Sequence, residues 1–207
     1  MLDNISDGTR VLVVSYLSIR RAIGMIGLAL PILLGPVGLA FGIEIQDNIS
    51  SYYHTPMRDV FVGAMCSIGI FLFCYRGYDW IERWTGYFGC AASMGVAFFP
   101  LDENSDPLFQ ESVVGYLHTV CGGVFFLTLA FYSLYHFPSS RKGPHEPEPH
   151  ELERDFIYRT SGAVILLSLL AMGSYLLFLP TSWKNNLNEY SFLFWMEWIA
   201  IWAFAAA

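Results

Sequence analysis

The chain has 207 residues, 55% of them hydrophobic and 14% charged, with positive mean hydropathy and a net charge of −7. A soluble domain of this length carries about 25% charged residues. The shortfall, with Gly-rich apolar runs near span length, places the chain in a bilayer. The 11 Lys and Arg residues form no cluster suited to nucleic acid, so that partner class is not expected.

Residues 1–21 open acidic, without the basic start of a cleaved signal peptide. Val11, Leu12, Val14 and Leu17 alternate with serines, which suits a short interfacial helix ending at Arg20-Arg21. Residues 22–207 then read as six apolar spans. The first covers about 22–43 and is interrupted by Pro31 and Gly35-Pro36, where a kink is expected. The others cover about 56–75, 85–101, 112–136, 160–180 and 190–207. Between the fourth and fifth, residues 138–155 are rich in proline and charge and predict a flexible linker, in which His145 and His150 lie among glutamates. Cys66, Cys74, Cys90 and Cys121 all fall in apolar runs with no CxxC pair, so they read as small packing residues and not as a disulfide framework.

The predicted class is therefore an all-α, polytopic six-span bundle. Nine of the Lys/Arg residues fall on one side of it, and Arg58 and Lys184 on the other. The positive-inside rule then puts both termini in the cytoplasm. Trp80, Trp84 and Trp183 sit at predicted span ends, as interfacial aromatics do.

The least generic stretch is Ser50-Ser-Tyr-Tyr-His-Thr-Pro-Met-Arg-Asp59. Thr55 can cap a helix, and Pro56 suits its first position. His54, Arg58 and Asp59 then gather at the lip of an apolar helix, where ionisable groups are costly. The six-span topology brings the same side Asp102, Glu103 and Asp106 from the loop after the third span, His118 from the fourth and Glu197 from the sixth. In the second span Asp59, Gly63, Cys66, Ile70 and Cys74 share one stripe, with Phe61, Met65, Ile68 and Leu72 opposite. If small residues face neighbouring helices and bulky ones face lipid, Asp59 points inward. His118 shares a stripe with Gly115 and Gly122, and Glu197 one with Ile201 and Phe204. The expectation is an outward-facing polar pocket built from His54, Arg58, Asp59, Asp102, His118 and Glu197. The plainer reading of the same residues is a set of pairs that fix helix packing and cap loop ends.

The Ser50-x-x-x-His54 spacing followed by Asp59 resembles the CREST superfamily of membrane hydrolases, which includes alkaline ceramidases and progestin/adiponectin-type receptors. That resemblance implies a Zn²⁺ held by histidines beside a Ser and an Asp. The chain departs from the superfamily in lacking an HxxxH pair in its last span. The SSYYHT-PMRDVFVG and YRGYD runs also resemble small bacterial multi-span proteins, which implies a bacterial inner membrane.

Three functions compete. The first is a binding or accessory role, in which the pocket takes a lipid headgroup, another small molecule or a partner subunit; the absence of a complete catalytic signature favours it. The second is a Zn²⁺-dependent hydrolase of lipid amides or esters, with His54, His118 and a carboxylate as ligands and Glu197 or Asp59 as base. The third is a proton or ion pathway, against which Phe125 and Leu129 fill the helix face between His118 and His136.

Overall fold

The computed structural model describes residues 18–74, 80–103, 108–139 and 149–207. Among them are helices and turns and no strand. Helix α1 covers Ser18–Ala40. Its turn at Leu33–Val37 widens to π geometry around Pro36. Proline has no N–H and crowds the preceding turn, and the wider turn absorbs both faults without a break. The expected interruption is thus a bulge within one helix. Ser18–Arg21, assigned above to an interfacial segment, form the first turn of α1; the rest of that segment lies outside the described residues.

A 3₁₀ turn at Ser50–His54 leads into α2, Arg58–Cys74. Thr55 accepts the Met57 N–H through its hydroxyl oxygen (3.1 Å) and donates that hydroxyl to the Tyr52 carbonyl (2.8 Å). Then come α3 (Trp80–Phe98), α4 (Val113–His136, with a second π stretch at Tyr132–His136), α5 (Pro149–Phe178), α6 (Thr181–Asn188) and α7 (Phe192–Ala206). The stretch 138–155, expected as a flexible linker, is helical at both ends. Its middle, 140–148, lies outside the described residues, as does the side chain of His150.

Among the described residues three helices are long and apolar enough to cross a membrane: Ser18–Ala40, Val113–His136 and Leu152–Phe178. Helices α2, α3 and α7 have 17, 19 and 15 residues. At 1.5 Å per residue α7 reaches only about 22 Å, against a hydrocarbon core of about 30 Å. Neighbouring helices run antiparallel, as their contacts show. Gly24 of α1 meets Ala205 of α7, while Gly35 meets Phe194. Ser93 of α3 donates to the Met65 carbonyl of α2 at 2.7 Å, and Gly95 of α3 passes Cys121 of α4. The bundle thus has two ends. Residues 41–57, 99–103, 108–112 and 179–191, the last with α6, lie at the cap end, and the starts of α1, α3 and α5, which carry Arg20, Arg21, Arg83 and Arg154, form the arginine end.

The facing of α2 is the reverse of the expectation. Phe61, Met65, Ile68 and Leu72 are buried, while Asp59, Gly63, Ile70 and Cys74 are exposed. The cause is α3, whose buried face is Gly86, Gly89, Ala92, Ser93, Val96 and Ala97. One helix supplies a groove of small side chains and the other fills it with bulky ones, as ridges fill grooves. The small-residue rule applies to the pair, not to each helix.

Candidate functional site

The cap end holds all the described residues of the expected pocket, and it holds them in separate groups. The first is built around the chain as it leaves α3. His54, on the 3₁₀ turn, donates Nε2–H to the Leu101 carbonyl at 2.8 Å. His118, five residues into α4 and 4% exposed, donates Nδ1–H to the Phe99 carbonyl at 2.5 Å. A carbonyl can only accept, so the contact fixes which nitrogen of each imidazole carries the proton. Asp102 follows in the same strap. Its carboxylate accepts the Ser112 hydroxyl (2.5 Å) and the N–H groups of Ser112 and Glu111 (2.7 Å each). Its own N–H donates to Gln110 Oε1 at 2.7 Å. Ser112 also caps α4 by accepting the Gly115 N–H at 2.9 Å. The Ser112 hydroxyl first, then the two N–H groups and nearby His54, hold the Asp102 carboxyl below the usual carboxylate range. Gly115 is required here, because the side chains of Gln110 and Asp102 occupy the space a Cβ would take.

The second group centres on Glu197, five residues into α7. Its Oε2 accepts the Ile49 N–H at 2.6 Å. The Asp47 carbonyl accepts the Phe194 N–H (2.9 Å), and the Asp47 carboxylate accepts Asn188 Nδ2 (3.1 Å). Asn48 Oδ1 accepts the Ser51 N–H at 2.8 Å. These bonds draw the 43–55 loop over the end of α7 and bury Ile49 and Tyr52, the latter beside the Phe194 ring.

Arg58 and Asp59 belong to neither group. Arg58 donates to the Tyr53 hydroxyl at 2.7 Å and lies 4.4 Å from that ring's centroid. Asp59 is exposed in the first turn of α2, where a carboxylate complements the helix dipole. Glu103 is exposed, and Asp106 lies outside the described residues.

The structure therefore gathers His54, His118 and Asp102, and gives Glu197 a different partner. The expected single pocket is divided. Catalytic zinc needs three protein ligands and an open position. Among the described residues no three His, Cys, Asp or Glu side chains converge to hold a metal. Asp102 is committed to Ser112 and Glu111, so the residues present do not fit the Zn²⁺ centre that the CREST resemblance implied.

A second polar cluster was missed by the sequence reading. Toward the arginine end, Glu82 (α3) is buried together with Tyr132, Ser133 and His136 from the π stretch of α4. His136 Nε2 meets Thr85 Oγ1 at 3.1 Å, and Tyr132 donates to the Glu82 carbonyl oxygen at 3.4 Å. The signal was present in α3: Glu82 lies on one helical stripe with Gly86, Gly89 and Ser93, the face that turned out to be buried. No family model matches the chain, and no curated protein or solved structure is similar to it.

Proposed function

We propose that the chain is a multi-pass membrane protein of binding or accessory type, crossing six times with both termini in the cytoplasm of a bacterial cell. One observation carries the choice over hydrolysis: His54, His118, Asp102 and Glu197 each bond a main-chain group of the 41–57 loop or of the chain between α3 and α4. A hydrolase needs a base and a metal free to meet substrate; these side chains instead lock a lid over the bundle. Among the exposed side chains of the cap are Arg58 and Asp59, the first stacked on the half-buried Tyr53 ring, so that a cation on an aromatic stands beside an anion. That set suits a zwitterionic headgroup or a polar patch on a partner subunit. The lopsided Lys/Arg distribution supports the orientation.

Two measurements test the reading. Protein purified from zinc-supplemented cells is expected to hold well under one zinc per chain; stoichiometric zinc lost in His118→Ala would restore the hydrolase. A photo-crosslinking residue in place of Asp59 is expected to trap one discrete species in native membranes. A pattern identical to that from Phe88, an exposed position on α3, would overturn a recognition role for the cap.

A further inference from the structure

A cavity of about 470 Å³ opens at the arginine end, far from the cap. Arg20 and Arg21 from the start of α1 and Arg154 from the start of α5 ring its mouth. No carboxylate side chain is among the described residues that line it. Arg20 is held in place: its guanidinium lies 3.8 Å from the Phe137 ring centroid and 5.0 Å from that of Tyr158, and it donates to the Ala207 main-chain oxygen. Arg21 and Arg154 are exposed. The deeper wall is apolar, formed by Ile23 and Leu72, and it continues to Met25 and Leu28, which are 64% and 41% exposed on the outside of the bundle. The cavity therefore joins a cationic rim to a side opening at apolar helix surface.

Arg20, Arg21 and Arg154 line one space, and among the described residues no acidic side chain shares it, a set that favours an anion there. The guanidinium fork matches phosphate and carboxylate oxygens. An inorganic anion would satisfy the rim and leave the apolar wall unused. We propose that this cavity binds one anionic lipid, its phosphate on Arg21 and Arg154 and the first carbons of its acyl chain along Ile23, Met25 and Leu28. Basic pockets between membrane helices take such headgroups on general electrostatic grounds, and the volume lies within the usual range for small-molecule sites. Arg20, already stacked and hydrogen-bonded, shapes the rim. This site is separate from the cap and does not depend on what the cap recognises.

The test uses the full chain in an uncharged detergent, with phosphatidylglycerol, phosphatidylcholine or inorganic phosphate added, read by native mass spectrometry and thermal melting. Phosphatidylglycerol is expected to give one retained adduct per chain that raises Tm and depends on Arg21 and Arg154; phosphate is expected to do neither, and any phosphatidylcholine held at the cap is expected to persist when those two arginines are replaced. Arg21→Gln with Arg154→Gln should weaken the adduct tenfold or more, and Arg83→Gln, exposed at the same end but not lining the cavity, should leave it unchanged. Leu28→Trp, which narrows the side opening and keeps every arginine, should also lose the adduct, so the idea remains testable if the double variant folds poorly. Phosphatidylcholine retained equally and lost with the same two arginines, a Tm rise reproduced by phosphate alone, or a phosphatidylglycerol adduct indifferent to both the arginines and Leu28 would each overturn the proposal.

Discussion

Asp102 shows how one side chain closes the cap. Three donors converge on its carboxylate, and they come from Glu111 and Ser112 at the entry to α4. Its pKa is depressed in the folded state, so its contribution to stability is fully present above the unfolded value of about 3.9 and is lost as pH falls through the lower folded value. Acid titration of the melting temperature should therefore show a drop below about pH 4 that is absent in Asp102→Asn, which should also start from a lower Tm at neutral pH. A variant whose acid profile matches the parent would mean that other carboxylates carry the effect. Asp102 was legible as a polar residue of the right loop, because a loop carboxylate between two apolar runs is visible in one dimension. Its partners were not legible: all four of its bonds involve a main-chain N–H or a serine brought near by the turn, and main-chain groups have no signature in a sequence.

Helix boundaries were read to within a few residues for α2, α4 and α7, because hydropathy and capping are properties of the segment itself. The start of α5 was misplaced: 149–155 looked like linker, yet it begins a 30-residue helix. Helix facing is a property of pairs, and there the reading of α2 inverted. Two glycines separate the alternatives. A Cβ on Gly95 would collide with Cys121, whereas a Cβ on Gly63 meets nothing within 4 Å. Gly95→Val should cost roughly 1–3 kcal/mol, the usual range for overpacking, and Gly63→Val should be close to neutral. SDS-titration unfolding of both variants checks this. A large loss at Gly63 with none at Gly95 would restore the inward stripe of Asp59, Gly63 and Cys74 and would reverse the packing of α2 on α3.

For the molecule as a whole, the asymmetry between its ends makes one arrangement in the membrane far cheaper than its mirror. Arg20, Arg21, Arg83 and Arg154 mark one end, while the other closes with acidic and amide side chains bound to its own loops. Translocating the arginine end would move several permanent cations across the bilayer, which the positive-inside rule disfavours. On the six-span arrangement proposed above, the antiparallel order of the helices would put Glu44 and Asn186 on one face of the membrane and Glu153 on the other. With Cys66, Cys74, Cys90 and Cys121 replaced by alanine, Glu44→Cys and Asn186→Cys should react with a membrane-impermeant maleimide on intact spheroplasts. Glu153→Cys should react only after permeabilisation. The short α7 adds a consequence. If its 15 residues cross, the bilayer must thin there or flanking polar groups must sink to meet it, so Asn186→Cys beside its entry should label more slowly than Glu44→Cys. Labelling of Glu153→Cys from outside would turn the bundle over, and reactivity of all three positions on one face would mean that α2, α3 and α7 lie along the membrane, leaving only the three long helices to cross.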